Sequence, residues 1–166
     1  MKRIRLIIIL FILSLSHHLM AGNTTYQTIY YQILPINEIW VSGNPPVLVV
    51  EGAQPGEGPE EAVDSSTTYT VVTNEGMFVT PEKPKKITGH INEAMPVHTH
   101  LIVNLSPPVD AESMGDVVLT DEPQTLVNYI LAPGKALAIT YKFGASAEAG
   151  TLSGIRNVTF TLIDEV

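Results

Sequence analysis

The 166-residue chain contains no cysteine. That absence excludes disulfide bracing, thiol catalysis, zinc–thiolate coordination and a Cys-linked lipid anchor. Aromatic residues are few, at 7% with a single Trp, too few for an extended sugar-stacking platform. Positive charge is scarce as well, with nine Lys and Arg against 17 Asp and Glu. A surface of that sign repels nucleic-acid phosphates and anionic lipid headgroups, which disfavours both as partners. The longest unbroken apolar run falls short of the roughly 18 to 20 residues that span a bilayer.

The chain opens with Lys2, Arg3 and Arg5, followed by the apolar run Leu6 to Leu13 and then by Ala21-Gly22. Charge, apolar stretch and small residues in that order predict an export signal over residues 1–22, cleaved after Ala21. Leu19 departs from the small-residue rule at the cleavage site, so retention of the segment as an N-terminal anchor stays open. Removing it would leave six basic residues against all 17 acidic ones, a net charge of −11. The location implied is extracellular or on the cell surface. Residues 23–166 have the length of one domain, and their apolar content excludes a disordered chain.

From there on, period-2 alternation dominates and helical periodicity is nearly absent. Ile29, Tyr31 and Ile33 alternate with Tyr30 and Gln32 in a strand-like segment, Thr24 to Leu34. Val47 to Val50 is a continuous apolar run of the kind covered on both faces. Tyr69 with Val71, Ile87 with Ile91, Leu101-Val103-Leu105 and Val117-Leu119 each mark one face of a strand. Leu137-Ile139-Tyr141-Phe143 and Val158-Phe160-Leu162 do the same. Gln124 to Leu131 fits either a helix or a strand, and leans to strand. Turn chemistry separates these runs, at Ser42-Gly43-Asn44-Pro45-Pro46, Asn74-Glu75-Gly76, Ser106-Pro107-Pro108 and Ala132-Pro133-Gly134. Gly52 to Asp64, polar and acidic, reads as a long loop. The pattern predicts an all-β fold, a single antiparallel β-sandwich of about eight to ten strands.

Three histidines have metal-ligand character. On a strand, His98 and His100 would project from one face, and His90 becomes a third ligand if its strand pairs alongside. The His-x-His is not followed by a nearby acid: Leu101, Ile102, Val103 and Asn104 stand there instead. The competing reading is a pair of solvent-facing strand histidines. Two acidic clusters, Glu57-Glu60-Glu61-Asp64 and Asp110-Glu112-Asp116, are candidates for calcium, although neither has the spacing of a dedicated calcium loop. Gly150-Thr151-Leu152-Ser153-Gly154 lacks the spacing of a nucleophile elbow. Glu51, Glu57 and Glu60 would repel a phosphate from Gly52, Gly56 and Gly58. No catalytic residues are assigned.

Ile36-Asn37-Glu38-Ile39 with the turn Ser42-Gly43-Asn44-Pro45, Asp64 to Tyr69, Lys86-Ile87-Thr88-Gly89 and Ala94-Met95-Pro96 form one set of short segments. With Ile139-Thr140-Tyr141 and Val158 to Leu162, the mature region resembles exported bacterial and archaeal β-sandwich surface proteins of the fimbrial, pilus-subunit or Ig-like type. The resemblance implies a sandwich with an ordered C-terminal strand and a structural or adhesive, non-enzymatic role. The cysteine pair of many chaperone–usher subunits is missing, which puts that assembly route in doubt. Terminal strands at Thr24 to Leu34 and Asn157 to Ile163 would be free to pair with copies of the chain or with another surface protein. The alternatives are an extracellular carbohydrate- or calcium-binding module and a metal-dependent jelly-roll enzyme using His98, His100 and His90.

Overall fold

The structure is a computed structural model and describes residues 26–52, 58–75 and 83–165. The export-signal segment and Glu57 lie outside the described residues. The chain divides into two units, one up to Ile33 and a body that starts at Leu34. In the first, residues 26–33 have no regular secondary structure and every side chain is exposed. The strand expected at Ile29 to Ile33 is therefore not formed, and among the described residues no second strand pairs with it. A lone strand has no partner for its backbone N–H and C=O groups, and alternation alone does not hold one together.

Within the body, runs rich in Thr, Val and Ile form nine strands among the described residues. They are β1 (Asn37–Val41), β2 (Ala62–Thr73), β3 (Lys85–Ile91), β4 (Thr99–Leu105), β5 (Glu112–Ser113), β6 (Val117–Val118), β7 (Gln124–Ile130), β8 (Gly134–Ala145) and β9 (Val158–Asp164). They make two sheets, ordered β1-β2-β8-β4-β6 and β5-β7-β3-β9, and every pairing is antiparallel. The fold is thus all-β with two antiparallel sheets, and Gln124 to Ile130 is a strand.

Side-chain alternation places the core. Tyr69 and Val71 of β2, Ile139 of β8 and Val103 and Leu105 of β4 are buried from one sheet. Ile87 and Ile91 of β3 and Leu126, Val127 and Ile130 of β7 meet them from the other in one cluster. Each such side chain contributes about 1.5–3 kcal/mol by leaving water. The Tyr69 hydroxyl donates to the Ser106 carbonyl at 2.6 Å, and burial pushes its pKa above the ordinary value. At Gly89 a Cβ would lie 2.6 Å from Leu126 Cδ1 on the neighbouring strand β7, so the Leu126 side chain would have to shift.

Two expectations are corrected here. Val47 to Val50 forms no strand, and Val47 and Val49 are 86% and 52% exposed. Pro45 and Pro46 remove two ladder donors immediately before it. The loop read from Gly52 to Asp64 is shorter, since β2 begins at Ala62.

One end of the body is tied by a polar cluster. Lys85 occupies an inward position of β3, its side chain 3% exposed. Its ammonium donates to Glu75 at 3.0 Å and to Asp164 of β9. Burial works against the charge, but the two carboxylates outweigh it and hold the Lys85 pKa above its usual value. Glu75 also accepts from Asn37 at 2.7 Å and from Lys83 at 3.3 Å. The Asn37 bond, followed by the Lys85 bond, lowers its pKa to about 2. The cluster joins β1, β3 and β9. The chain enters the body at this same end, where Asn74 donates to the Leu34 carbonyl and accepts from the Ile36 N–H.

Candidate functional site

The opposite end of the body is open. Beyond the last residues of β8 and the first of β9, a groove of about 1040 Å³ lies between the coil that follows β1 and the segment that precedes β9. Its lining is mostly apolar: Leu101 of β4, Tyr141 and Phe143 of β8, Val158 and Phe160 of β9, and Leu48, Met95 and Ile155 from the connecting segments. The local cause is sequence chemistry. Gly43, Pro45, Pro46, Gly150 and Gly154 keep both connecting segments out of the ladders, so Leu48, Phe143, Val158 and Phe160 are only half-buried at this end, while Leu101 and Tyr141 behind them belong to the core. Burial, followed by the nearby Asp64 charge, pushes the Tyr141 pKa up to about 12. Among the described residues of the lining, Arg156 is the one that carries a charge. Its guanidinium donates to the carbonyls of Ile155 and Ala94, both at 2.9 Å, and lies 3.8 Å from Glu93.

β9 borders the groove and is the outer strand of its sheet. Glu165 donates its N–H to Pro84, and Asn92 donates to the Asn157 carbonyl, so odd-numbered residues face β3. By ladder alternation, the backbone groups of Val158, Phe160, Leu162 and Asp164 point away from the sheet. From Val158 to Ile163 this edge carries no charge and no proline, the two usual guards of an open edge. β1 is the outer strand of the other sheet, and Trp40 on it is 49% exposed.

The predicted ligand residues fall elsewhere. His90 lies on β3, in the sheet of β7 and β9, whereas His100 lies on β4, in the other sheet. Their strands do not pair, so the register on which a third ligand depended does not arise. His98 precedes β4 in a turn, with φ at 67°, and does not share a strand face with His100. The His100 ring lies over Gly144 on β8, and its Nε2 is 2.9 Å from Glu61 Oε1. Both members of that pair are about 40% exposed, so the bridge contributes at most about 1 kcal/mol.

Among the candidate calcium carboxylates, Asp64 accepts from Ser66, and Asp116 accepts from Asn104 at 2.9 Å and from Lys142. The Lys142 bond, then the Asn104 bond, lowers the Asp116 pKa. Among the described residues, no three His, Asp or Glu side chains gather closely enough to hold a metal ion. Tyr26 and Tyr30 are 91% and 92% exposed.

Sequence reasoning missed the groove and the Lys85 cluster. The groove leaves no sequence signal, because it arises where distant segments fail to pair. The cluster did leave one: Lys85 shares the inward parity of Ile87 and Ile91, where a lysine needs a carboxylate. Compared with known proteins, the chain matches no family model, no curated protein and no solved structure.

Proposed function

We propose that the chain is an exported, non-enzymatic structural or adhesive β-sandwich protein of the fimbrial type, which joins copies of itself through strand edges. The observation that carries this reading is β9, a seven-residue outer strand without charge or proline from Val158 to Ile163, bordering an apolar groove. Proteins that stay monomeric blunt such an edge, because it offers a ready ladder to any other strand. Support comes also from the exposed, strand-patterned residues Ile29, Tyr31 and Ile33, which are 74%, 90% and 78% exposed. Apolar side chains in that arrangement are what β-augmentation uses, with main-chain bonds giving affinity and alternate side chains giving specificity.

The test is the mass of the purified mature chain across a concentration series, by sedimentation and electron microscopy. Oligomers or filaments that lengthen with concentration are expected. A chain that stays monomeric at every concentration refutes the reading. A calcium-dependent rise in thermal midpoint, with no change of mass, would favour the ligand-binding module instead.

A further inference from the structure

We infer that the groove beside β9 binds a single-chain aliphatic carboxylic acid, its alkyl chain along the apolar lining and its carboxylate on Arg156. The inference stands apart from strand-edge assembly and uses the groove alone.

The first argument is the state of Arg156. An arginine brings five N–H donors and a permanent charge. The Arg156 side chain is 17% exposed and gives donors to the Ile155 and Ala94 carbonyls. Its Nε is buried and has no hydrogen-bond partner among the described residues. Carbonyls occupy donors without balancing the charge. The Glu93 carboxylate is 70% exposed and stands 3.8 Å away, beyond the roughly 2.7–2.9 Å of a charge-assisted bond. Lys85 and Lys142, by contrast, each hold a carboxylate oxygen within hydrogen-bond distance. A cation so withdrawn from water and so loosely paired gains from an anion. Gly154 leaves the space beside Nη1 open, since even a Cβ there would touch it, at 3.7 Å. Guanidinium charge is delocalised, so a carboxylate at Nη1 balances the part at Nε too.

The second argument is the wall. Half-buried Leu48, Phe143, Val158 and Phe160 line the groove, and Met95 adds an adaptable thioether. Apolar walls with one placed charge, around a volume of about 1040 Å³, are the pattern of a small-molecule site. Ile155, 84% exposed, is the neighbour of Arg156 in the chain, so headgroup and first methylenes meet adjacent residues. Other ligand classes fit worse. A sugar would leave hydroxyls against Leu48 and Phe143, a cationic amphiphile would meet the guanidinium, and a nucleotide brings more charge than one arginine balances. The net charge of −8 opposes an anion only at long range, and salt screens it beyond about 8 Å.

The experiment is calorimetric titration of the purified protein with octanoate, decanoate and dodecanoate, each kept below its micelle concentration. Saturable one-to-one binding is expected, tightening by about two- to fourfold per methylene, the upper figure corresponding to full burial. Dodecanol, of equal length but uncharged, should bind at least ~10-fold more weakly than dodecanoate, a comparison that needs no variant. Glu93→Gln, which removes the competing carboxylate, should tighten dodecanoate binding. Ile155→Asp should weaken it at least ~10-fold, whereas Val109→Asp, equally exposed but outside the lining, should leave it unchanged. Absence of saturable binding, equal binding of the acid and the alcohol, or indifference to Ile155→Asp would each overturn the inference. Sedimentation of the same samples reads assembly separately, so either reading can fail without the other.

Discussion

Replacing Lys85 by Met tests the reasoning about the polar end of the body. The substitution keeps the length and apolar stem of the side chain and deletes its charge. Removing one partner from a buried ion pair costs about 3–5 kcal/mol when the remaining charge stays buried. Here the remaining charges are better placed: Asp164 is 70% exposed, and Glu75, at 17%, keeps its bonds to Asn37 and Lys83. The expected loss is therefore lower, about 2–3 kcal/mol, equivalent to a thermal midpoint roughly 6–12 °C lower for a body of this size. Urea unfolding followed by circular dichroism measures it, with Trp40 fluorescence as a local reporter of β1. Acid titration gives an independent check. The Glu75 pKa is depressed to about 2 in the folded chain, from an ordinary value of 4.5, so its contribution is present above that ordinary value and fades as pH falls toward 2. The Lys85→Met variant should lose less stability over that interval than the parent, and combining it with Glu75→Gln should cost less than the sum of the two changes. A Lys85→Met protein as stable as the parent, with an unchanged acid profile, would refute the account.

Gly144→Ala would place a Cβ 2.4 Å from the His100 ring, so a loss of about 1–2 kcal/mol is expected in urea unfolding, and adding His100→Ala should recover most of it. Ile139→Ala removes a fully buried side chain at the centre of β8 and should lower the unfolding free energy by about 2–5 kcal/mol, measured by the same denaturation. Spectrophotometric alkaline titration should show late-ionising phenols at Tyr69 and Tyr141, lost in Tyr69→Phe and Tyr141→Phe variants. Because folding raises both values, stability should fall as pH climbs beyond the ordinary tyrosine value of 10.

The strands that the sequence revealed are those whose alternation is backed by a partner. Leu101, Val103 and Leu105 read as a buried face and are one, because β8 and β6 flank β4. Ile29, Tyr31 and Ile33 carry the same alternation and are exposed coil, since periodicity records which face is greasy and not whether a neighbour exists. Val47 to Val50 misled for a different reason: two prolines ahead of it outweigh its β-branched composition. The histidines illustrate the limit for sites. Spacing of two residues implies a shared face only if both lie on the strand, and the left-handed backbone at His98 ends that premise. Which strands are neighbours was not legible, so neither the separation of His90 from His100 nor the groove was within reach of the sequence.

The pairing of β3 with β9 also dictates a timetable. Lys85 meets Asp164, a partner 79 residues further along, so β3 gains a strand on that flank only after β9 has been synthesised. Chains that emerge from their N-terminus hold such long-range pairings open until last. A copy lacking β9 would leave the backbone groups of Lys86, Thr88 and His90 along a fresh margin, ready to pair with another chain.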